Sequence, residues 1–168
     1  MFENITGKKR KRKLEQDTPV DARLLKKPKN FDELIDLGIE YFNQENFLLA
    51  IQRFKEAIEI NADDPHVWFN LGMSYEENLD SKQAIDCYTK SLELDPYNSD
   101  VWYHKGYALV GKADYWRAIE CYKESIKLLK NAKVLCELSK LYKLLGNHKE
   151  ARKYEKQAAQ PKKSFTCH

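Results

Sequence analysis

Residues that interrupt helices are scarce in this chain. Its 168 residues include six glycines and five prolines, whereas 33% are charged, a composition that fits a mainly helical protein. No apolar run approaches the roughly 20 residues that a membrane-spanning helix needs, and the first residues lack the pattern of a secretory signal peptide. We therefore expect an intracellular protein of the cytoplasm.

Patterns that would indicate catalysis or metal binding are also missing. The four cysteines and four histidines are scattered, with no C-x2-C pair and no closely spaced histidines. There is no nucleophile elbow, no glycine-rich phosphate loop and no H-E-x-x-H sequence. We expect a protein that is not an enzyme and that uses no metal and no cofactor.

What the chain does contain is a spacing of large and small residues that recurs along most of its length. The copy with the clearest spacing consists of Trp68, Leu71, Gly72, Tyr75, Ala84, Tyr88 and Pro96. A shift of about 34 residues downstream aligns with it Trp102, Gly106, Ala118, Tyr122 and Ser125. The same shift upstream aligns Leu34, Leu37, Gly38, Tyr41, Ala50, Phe54 and Ala57. A fourth copy begins one residue early and consists of Leu135, Leu138, Tyr142, Ala151 and Ala158.

This pattern resembles the tetratricopeptide repeat, whose signature is W-x2-L-G-x2-Y followed by A-x3-F and P. The resemblance covers most of the chain, and it implies an all-α, right-handed solenoid of four helix pairs. We place the pairs at residues 31–64, 65–98, 99–131 and 132–160, followed by a C-terminal tail at 161–168. The sequence departs from the pattern at Lys105, Leu109 and Glu155.

Small residues recur where the two helices of one pair would meet. The first helices carry Gly38, Gly72, Gly106 and Ser139, and the second helices carry Ala50, Ala84, Ala118 and Ala151. Larger residues at i, i+3, i+4 and i+7 would fill the remaining gap, as ridges fill grooves between packed helices. Two predicted helices are preceded by residues that favour N-caps, which are Asp64 ahead of Pro65 and Ser99 ahead of Asp100.

Charge is distributed in three blocks along the chain. Residues 1–30 carry ten Lys and Arg against four Asp and Glu, residues 31–100 carry four against sixteen, and residues 101–168 carry fifteen against six. The total of +3 therefore conceals net charges of +6, −12 and +9. We predict a negative field over the first half of the solenoid and a positive field over the second. The alternative, which the sequence leaves open, is that these charges only coat solvated faces.

In the tetratricopeptide family the first helix of each pair lines a concave groove, and the resemblance implies which residues line it here. They are Ile35, Ile39, Phe69, Asn70, Met73, Tyr103, Tyr107, Lys133 and Lys140, with Cys136 beside the last two. An apolar, aromatic groove with a basic end would suit a partner peptide or helix. We therefore predict a non-catalytic protein-protein interaction module that acts as a scaffold or adaptor.

One subtype of the family binds the acidic C-terminal tails of chaperones through a clamp of Lys, Asn and Arg side chains. The positions that this clamp would use are here Ile35, Ile39, Asn70, Asp100 and His104. Only Asn70 matches, and Asp100 would repel a carboxylate. We therefore do not expect this clamp to bind a chaperone tail.

Residues 1–30 form a basic arm that we expect to be disordered, because like-charged segments of low hydrophobicity cannot fold alone. Its cations lie in two clusters, which are Lys8, Lys9, Arg10, Lys11, Arg12 and Lys13, then Lys26, Lys27 and Lys29. The arm fits a nuclear import signal in a host with a nucleus, a contact with nucleic acid, or an intramolecular ligand of the acidic repeats. The sequence leaves these functions, and a solubilising tail, open.

Two alternative functions follow for the whole chain. It could be an adaptor associated with nucleic acid or with the nucleus through the basic arm, or a structural repeat protein that assembles with itself. Against self-assembly, Glu155 and its neighbours Arg152, Lys153 and Lys156 place charge where a following helix would need apolar surface. No contact with a membrane is predicted.

Overall fold

The computed structural model describes residues 30–159. Within that range the chain forms helices and no strand, and neighbouring helices pack as four successive pairs. The helices are α1 Phe31–Asn43, α2 Phe47–Ile60, α3 Pro65–Glu77, α4 Ser81–Leu94, α5 Ser99–Gly111, α6 Tyr115–Leu128, α7 Ala132–Leu144 and α8 His148–Ala158. The predicted all-α solenoid of four helix pairs is confirmed. The predicted arm and tail lie outside the described residues, apart from Asn30.

The turn inside each helix pair has three residues and the same backbone conformation. The middle residue is left-handed in all four turns, with φ of 58° at Glu45, 64° at Leu79, 59° at Ala113 and 76° at Gly146. The third residue is always Asn or Asp, and its side chain accepts a hydrogen bond from an amide in the first turn of the second helix. One conformation therefore reverses the chain four times, although only Gly146 is a residue type that adopts it without strain.

The linkers between pairs differ in length. Residues 61–64 and 95–98 each provide four residues, whereas residues 129–131 provide three, which accounts for the early start of the fourth pair. Asp64 caps α3 as predicted, since its carboxylate accepts a hydrogen bond from the His66 amide. The predicted cap at Ser99 is wrong. Asn98 caps α5 instead, because its side chain accepts hydrogen bonds from two amides of the first turn.

The small residue of each first helix allows a large ring to approach its backbone. A Cβ atom on Gly72 would lie 2.5 Å from a ring carbon of Tyr88, closer than packed carbon atoms come. The same contact recurs at 2.5 Å and 2.6 Å in the first and third pairs, between Gly38 and Phe54 and between Gly106 and Tyr122. The glycines of the repeat are therefore explained by close helix packing.

The fourth pair packs differently. Ser139 and Glu155 stand at the positions of the glycine and the ring, and Glu155 forms an ion pair with Lys143. The Lys143 ammonium lowers the pKa of the Glu155 carboxyl. An aromatic contact lies one residue earlier, where Tyr142 and Tyr154 stack with centroids 5.6 Å apart and an interplanar angle of 5°. The last helix pair thus keeps an aromatic core contact while exposing a charged residue.

At two of the three junctions between pairs, a tryptophan forms a hydrogen bond to the linker. The Trp68 indole Nε1 donates a hydrogen bond to the Ala62 carbonyl oxygen at 2.7 Å, and Trp102 donates to the Pro96 carbonyl oxygen at 2.9 Å. Each bond joins a first helix to the linker that precedes it. The fourth pair carries Leu135 at this position, so its linker receives no such bond.

The buried residues form two clusters that meet inside α5. One cluster extends from Leu34 to Ala108, and the other from Leu109 to Tyr154. Ile85 and Trp102 are half-buried and pack against both clusters. The solenoid therefore has a continuous core whose middle lies at the third helix pair.

Candidate functional site: the concave groove

The predicted groove residues lie on the first helices of the pairs, which are α1, α3, α5 and α7. Ile39 and Tyr107 are the most open of the apolar residues, with 41% and 51% of their surface exposed. Ile35, Phe69 and Met73 are half-buried and pack against the first core cluster. These predicted residues therefore divide into free surface and residues that also support the fold.

A cavity of about 250 Å³ lies where α1 and α3 approach the second helix of the first pair. Three predicted groove residues line it, together with three that were not predicted, and the six are Ile39, Asn70, Met73, Phe42, Asn43 and Phe54. The lining is apolar apart from two side-chain amides, which offer both donors and acceptors. Such a cavity suits one apolar side chain of a bound segment.

The middle of the groove carries a row of rings that we call the aromatic wall, which consists of Phe69, Tyr103, His104 and Tyr107. The His104 ring lies 5.5 Å from Phe69 and 5.1 Å from Tyr103, both edge to face. The rings of Tyr103 and Tyr107 are 6.5 Å apart. Tyr103 also stacks on the buried Tyr122 at 5.7 Å, so the wall is supported from behind.

Glu76 on α3 contacts His104 of the aromatic wall, although the sequence pattern did not mark Glu76 as a site residue. One carboxylate oxygen accepts a hydrogen bond from the Tyr88 hydroxyl at 2.9 Å, and the other lies 3.3 Å from Nδ1 of His104. Burial raises the pKa of Tyr88, and the charge of Glu76 raises it further, so this hydroxyl remains a donor. A signal was available in the sequence, because the aligned positions of the neighbouring pairs are apolar, at Phe42 and Val110.

The basic end of the groove is less positive than its lysines indicate. Lys140 forms an ion pair with Glu137 at 2.8 Å, and this hydrogen bond raises the pKa of Lys140. Lys133 instead lies over the ring of Tyr103, with Nζ 4.8 Å from the centroid, and a hydrogen bond to Tyr103 raises its pKa. The predicted cation that joins the aromatic wall is therefore Lys133.

A second cavity, of about 160 Å³, lies between α5 and α7. Asp100 and His104 line it together with Tyr103 and Lys133. Groups of both charge signs therefore face the same small space. A bound group with a hydrogen-bond donor and an acceptor would match this lining better than a bare carboxylate would.

The cysteines differ in exposure. Burial raises the pKa of Cys87 to about 12 and that of Cys121 to about 11, so both thiols stay protonated at neutral pH. Cys136 is exposed on α7, at the predicted groove position beside Lys133 and Lys140. Among the described cysteines, Cys136 is therefore the accessible thiol.

The part of the chain that the structure describes holds no group of three or more His, Cys, Asp or Glu side chains arranged for a metal ion. None of the helices between residues 30 and 159 is long and apolar enough to cross a membrane. The nine basic residues of the predicted arm, Lys8, Lys9, Arg10, Lys11, Arg12, Lys13, Lys26, Lys27 and Lys29, lie outside the described residues.

Four helix pairs that stack on one another define an α-solenoid repeat protein. Four family models, described as tetratricopeptide or TPR repeats, match residues 38–78, 65–98, 87–120 and 132–160, which together make up more than half of the chain. The chain belongs to the tetratricopeptide repeat family, and it is accordingly a protein-interaction scaffold.

Solved structures of a protein named MamA have the same fold. One superposes with a TM-score of 0.76 and 23% identity, and covers 78% of this chain and 77% of its own. Another, MamA from residue 41 to the end from Desulfovibrio magneticus RS-1, has a TM-score of 0.73 and 17% identity, with 77% and 73% covered. Identity this low shows the shared fold alone. A search among curated proteins found no match.

Proposed function

We propose that this protein is a non-catalytic interaction module that binds a segment of a partner protein in the groove of α1, α3, α5 and α7. The observation that supports this function is the aromatic wall, which is backed by Tyr122 and remains half-exposed at Tyr107. Rigid rings supply a large contact area and lose little conformational freedom on binding. The cavity beside Met73 would hold an apolar side chain of the bound segment.

Charge gives the bound segment a direction. Acidic side chains are exposed at the α1 and α3 end of the solenoid, and they include Asp32, Asp36 and Glu77. At the other end Lys133 is the cation next to the aromatic wall, whereas Lys140 is already paired. We propose that the partner places basic residues over α1 and α3, and an acidic residue near Lys133.

The substitution that best tests this groove is Tyr107→Glu. Phe69 and Tyr103 are less suitable, because their rings contact the buried Tyr88 and Tyr122, and a glutamate there would also disturb the core. Tyr97→Glu is the matched control, since Tyr97 is 79% exposed on the linker between the second and third pairs. Both variants add the same charge and remove the same ring.

Affinity purification from the native host with each variant provides the measurement. We expect Tyr107→Glu to reduce partner recovery by about tenfold or more, as loss of a central aromatic contact does, and Tyr97→Glu to leave it unchanged. Far-ultraviolet circular dichroism checks that both variants keep their helices. Equal recovery with both variants would move the binding surface away from the groove.

Cys136 provides an independent measurement on the unmodified groove. In a Cys167→Ser background a thiol reagent should label Cys136 rapidly, because Cys87 and Cys121 are buried and their pKa values are raised. A partner bound in the groove should slow this labelling. An unchanged labelling rate in the saturated complex would contradict groove binding.

A second candidate function is contact with nucleic acid, which only the sequence of residues 1–30 favours through its net charge of +6. Deletion of residues 1–29 should remove retention on duplex DNA at about 50 mM salt, and the full chain should also lose it at about 200 mM. Retention that survives the deletion would exclude the arm as the contact.

A further inference from the structure

The face of α8 that carries Arg152 and Lys156, which we call its outer face, differs from the equivalent faces of α2, α4 and α6. In α2, α4 and α6 the residue after the recurring alanine is an isoleucine that packs in the core, at Ile51, Ile85 and Ile119. In α8 the aligned residue is Arg152, which is exposed. The face that the next helix covers at each earlier junction is therefore open and basic at the end of the described solenoid.

Four residues after this isoleucine, α2 and α6 each carry a lysine that contacts a tyrosine of the following helix. Lys55 Nζ lies 5.5 Å from the ring centroid of Tyr75 on α3, and Lys123 Nζ lies 5.7 Å from that of Tyr142 on α7. A hydrogen bond to the tyrosine raises the pKa of each lysine. Lys156 occupies the aligned position of α8. The last helix thus carries the lysine that elsewhere meets a tyrosine of the following helix.

The charged residues of α8 are mainly positive, with four Lys and Arg residues against Glu150 and Glu155. Four exposed cations lie on α8, and among residues 30–159 only one of them, Lys153, forms an ion pair, with Glu150 at 3.0 Å. The other three are Lys149, Arg152 and Lys156. A polar surface alone would keep the end of a solenoid soluble, so the excess of one charge sign points to an anionic partner.

We propose that the outer face of α8 is a second docking surface, and that its occupant is an acidic helix of another protein, which adds to the solenoid as a ninth helix. In this arrangement a carboxylate of the added helix meets Arg152, and a tyrosine meets Lys156 as Tyr75 meets Lys55. The shape of the surface favours a helix, because each earlier second helix receives a helix on this face.

The remaining segments of this chain do not complement the surface. Residues 1–30 carry a net charge of +6, and residues 160–168 contain Lys162 and Lys163 but no acidic residue. Both would be repelled by a basic face. An acidic segment must therefore come from outside these two segments. The acidic half of a second copy of this chain is a competing occupant that the experiment below separates.

The test uses the full chain and a fluorescein-labelled synthetic helical peptide of about 18 residues, long enough to form a helix. One face of the peptide carries a tyrosine and glutamates spaced three and four residues apart. The test variant is Arg152→Glu with Lys156→Glu. The control variant is Lys82→Glu with Lys112→Glu, which makes the same charge change at exposed positions of the second and third pairs.

Fluorescence anisotropy should show that the test variant binds the peptide about tenfold more weakly than the unmodified chain, whereas the control variant stays within about twofold. Equal weakening by both variants would overturn the proposal in favour of unspecific charge attraction. Labelled duplex DNA that binds more tightly than the peptide, with the same dependence on Arg152 and Lys156, would overturn it in favour of nucleic acid.

Light scattering of the unmodified chain completes the experiment. The proposal expects a monomer in the absence of peptide. A dimer that the test variant dissociates would identify a second copy as the occupant and overturn the proposal. None of these measurements involves the groove, so the docking surface on α8 and the proposed groove function can fail separately.

Discussion

The two halves of the solenoid share one helix-pair architecture but carry opposite charge. Residues 31–100 contain sixteen acidic and four basic residues, whereas residues 101–159 contain six acidic and thirteen basic residues. The two core clusters divide close to the same point, between Ala108 and Leu109. The comparison shows that the recurring apolar and small positions determine the packing, and that the positions between them are free to determine the surface charge.

The same buried position also has different electrostatic surroundings in the two halves. Burial is the main cause of the raised pKa at both Cys87 and Cys121. Asp86 then raises the pKa of Cys87 further, whereas Lys105 lowers that of Cys121. Nearby charges of each half therefore affect the pKa values of its buried thiols, although the same positions are buried in both halves.

The largest effect should come from removing a buried ring from one half. Tyr122→Ala should lower the free energy of unfolding by about 3–5 kcal/mol, because the ring fills the space against Gly106. If the two clusters unfold separately, hydrogen exchange should accelerate more in α6–α8 than in α1–α3. Tyr88→Ala should produce the reverse distribution. Uniform acceleration in both variants would show a single cooperative unit.

A smaller effect is expected when only the hydroxyl group of the buried tyrosine is removed in each half. Tyr88→Phe should lower the free energy of unfolding by about 1.5–3 kcal/mol, because it removes a hydrogen bond to the Glu76 carboxylate. Tyr122→Phe should cost within about 0.5 kcal/mol, since the Tyr122 hydroxyl has no hydrogen bond to another described residue. Urea denaturation of both variants measures the difference. Equal costs would show that the bond to Glu76 contributes nothing net.

Alkaline pH should weaken both halves through their buried thiols. The folded pKa of each thiol is raised above its usual value of 9.0, so its stability contribution is present below pH 9 and is lost as the pH rises toward the folded pKa. As the pH rises from 8 to 10, each buried cysteine should lower the free energy of unfolding by about 1 kcal/mol. Cys87→Ala and Cys121→Ala should each reduce the pH dependence of the urea midpoint. An unchanged pH dependence would contradict burial of the thiols.

The smallest effect concerns the turns, which are the same in both halves. Leu79→Gly should stabilise the protein by up to about 1 kcal/mol, because Leu79 is 89% exposed and has a φ of 64°. Gly146→Ala should destabilise it by about 1 kcal/mol for the same reason. The melting temperatures of the two variants should therefore move in opposite directions. A shift in the same direction would mean that the turn conformation is not the cause.

The fold could be predicted because its determinants recur in the sequence. Gly72 and Tyr88, and their counterparts in the first and third pairs, identify the positions where helices meet. The cap of α5 could not be predicted in the same way, because Asn98 and Ser99 are adjacent and both residue types favour N-caps. Only the backbone geometry decides which side chain reaches the free amides.

The groove was less predictable, because its character depends on pairing across helices. The sequence marks Phe69 and Tyr103 as groove residues, but their burial against Tyr88 and Tyr122 depends on the angle between helices. Polar contacts between helices follow the same rule, since the Glu76 carboxylate lies beside the His104 ring, 28 residues away in the sequence. A repeat pattern reports which positions are equivalent. It does not report which unlike side chains at those positions contact one another.

Because Trp68 and Trp102 form hydrogen bonds to the linkers, their fluorescence can detect a change at the first two junctions. The Trp68 and Trp102 indoles each bond to a linker carbonyl, so loosening of the first or second junction would expose them to water and shift their emission to longer wavelength. Trp116 is 65% exposed and would add a constant background. A Trp116→Phe protein would therefore report optically on the first two junctions and remain silent about the third.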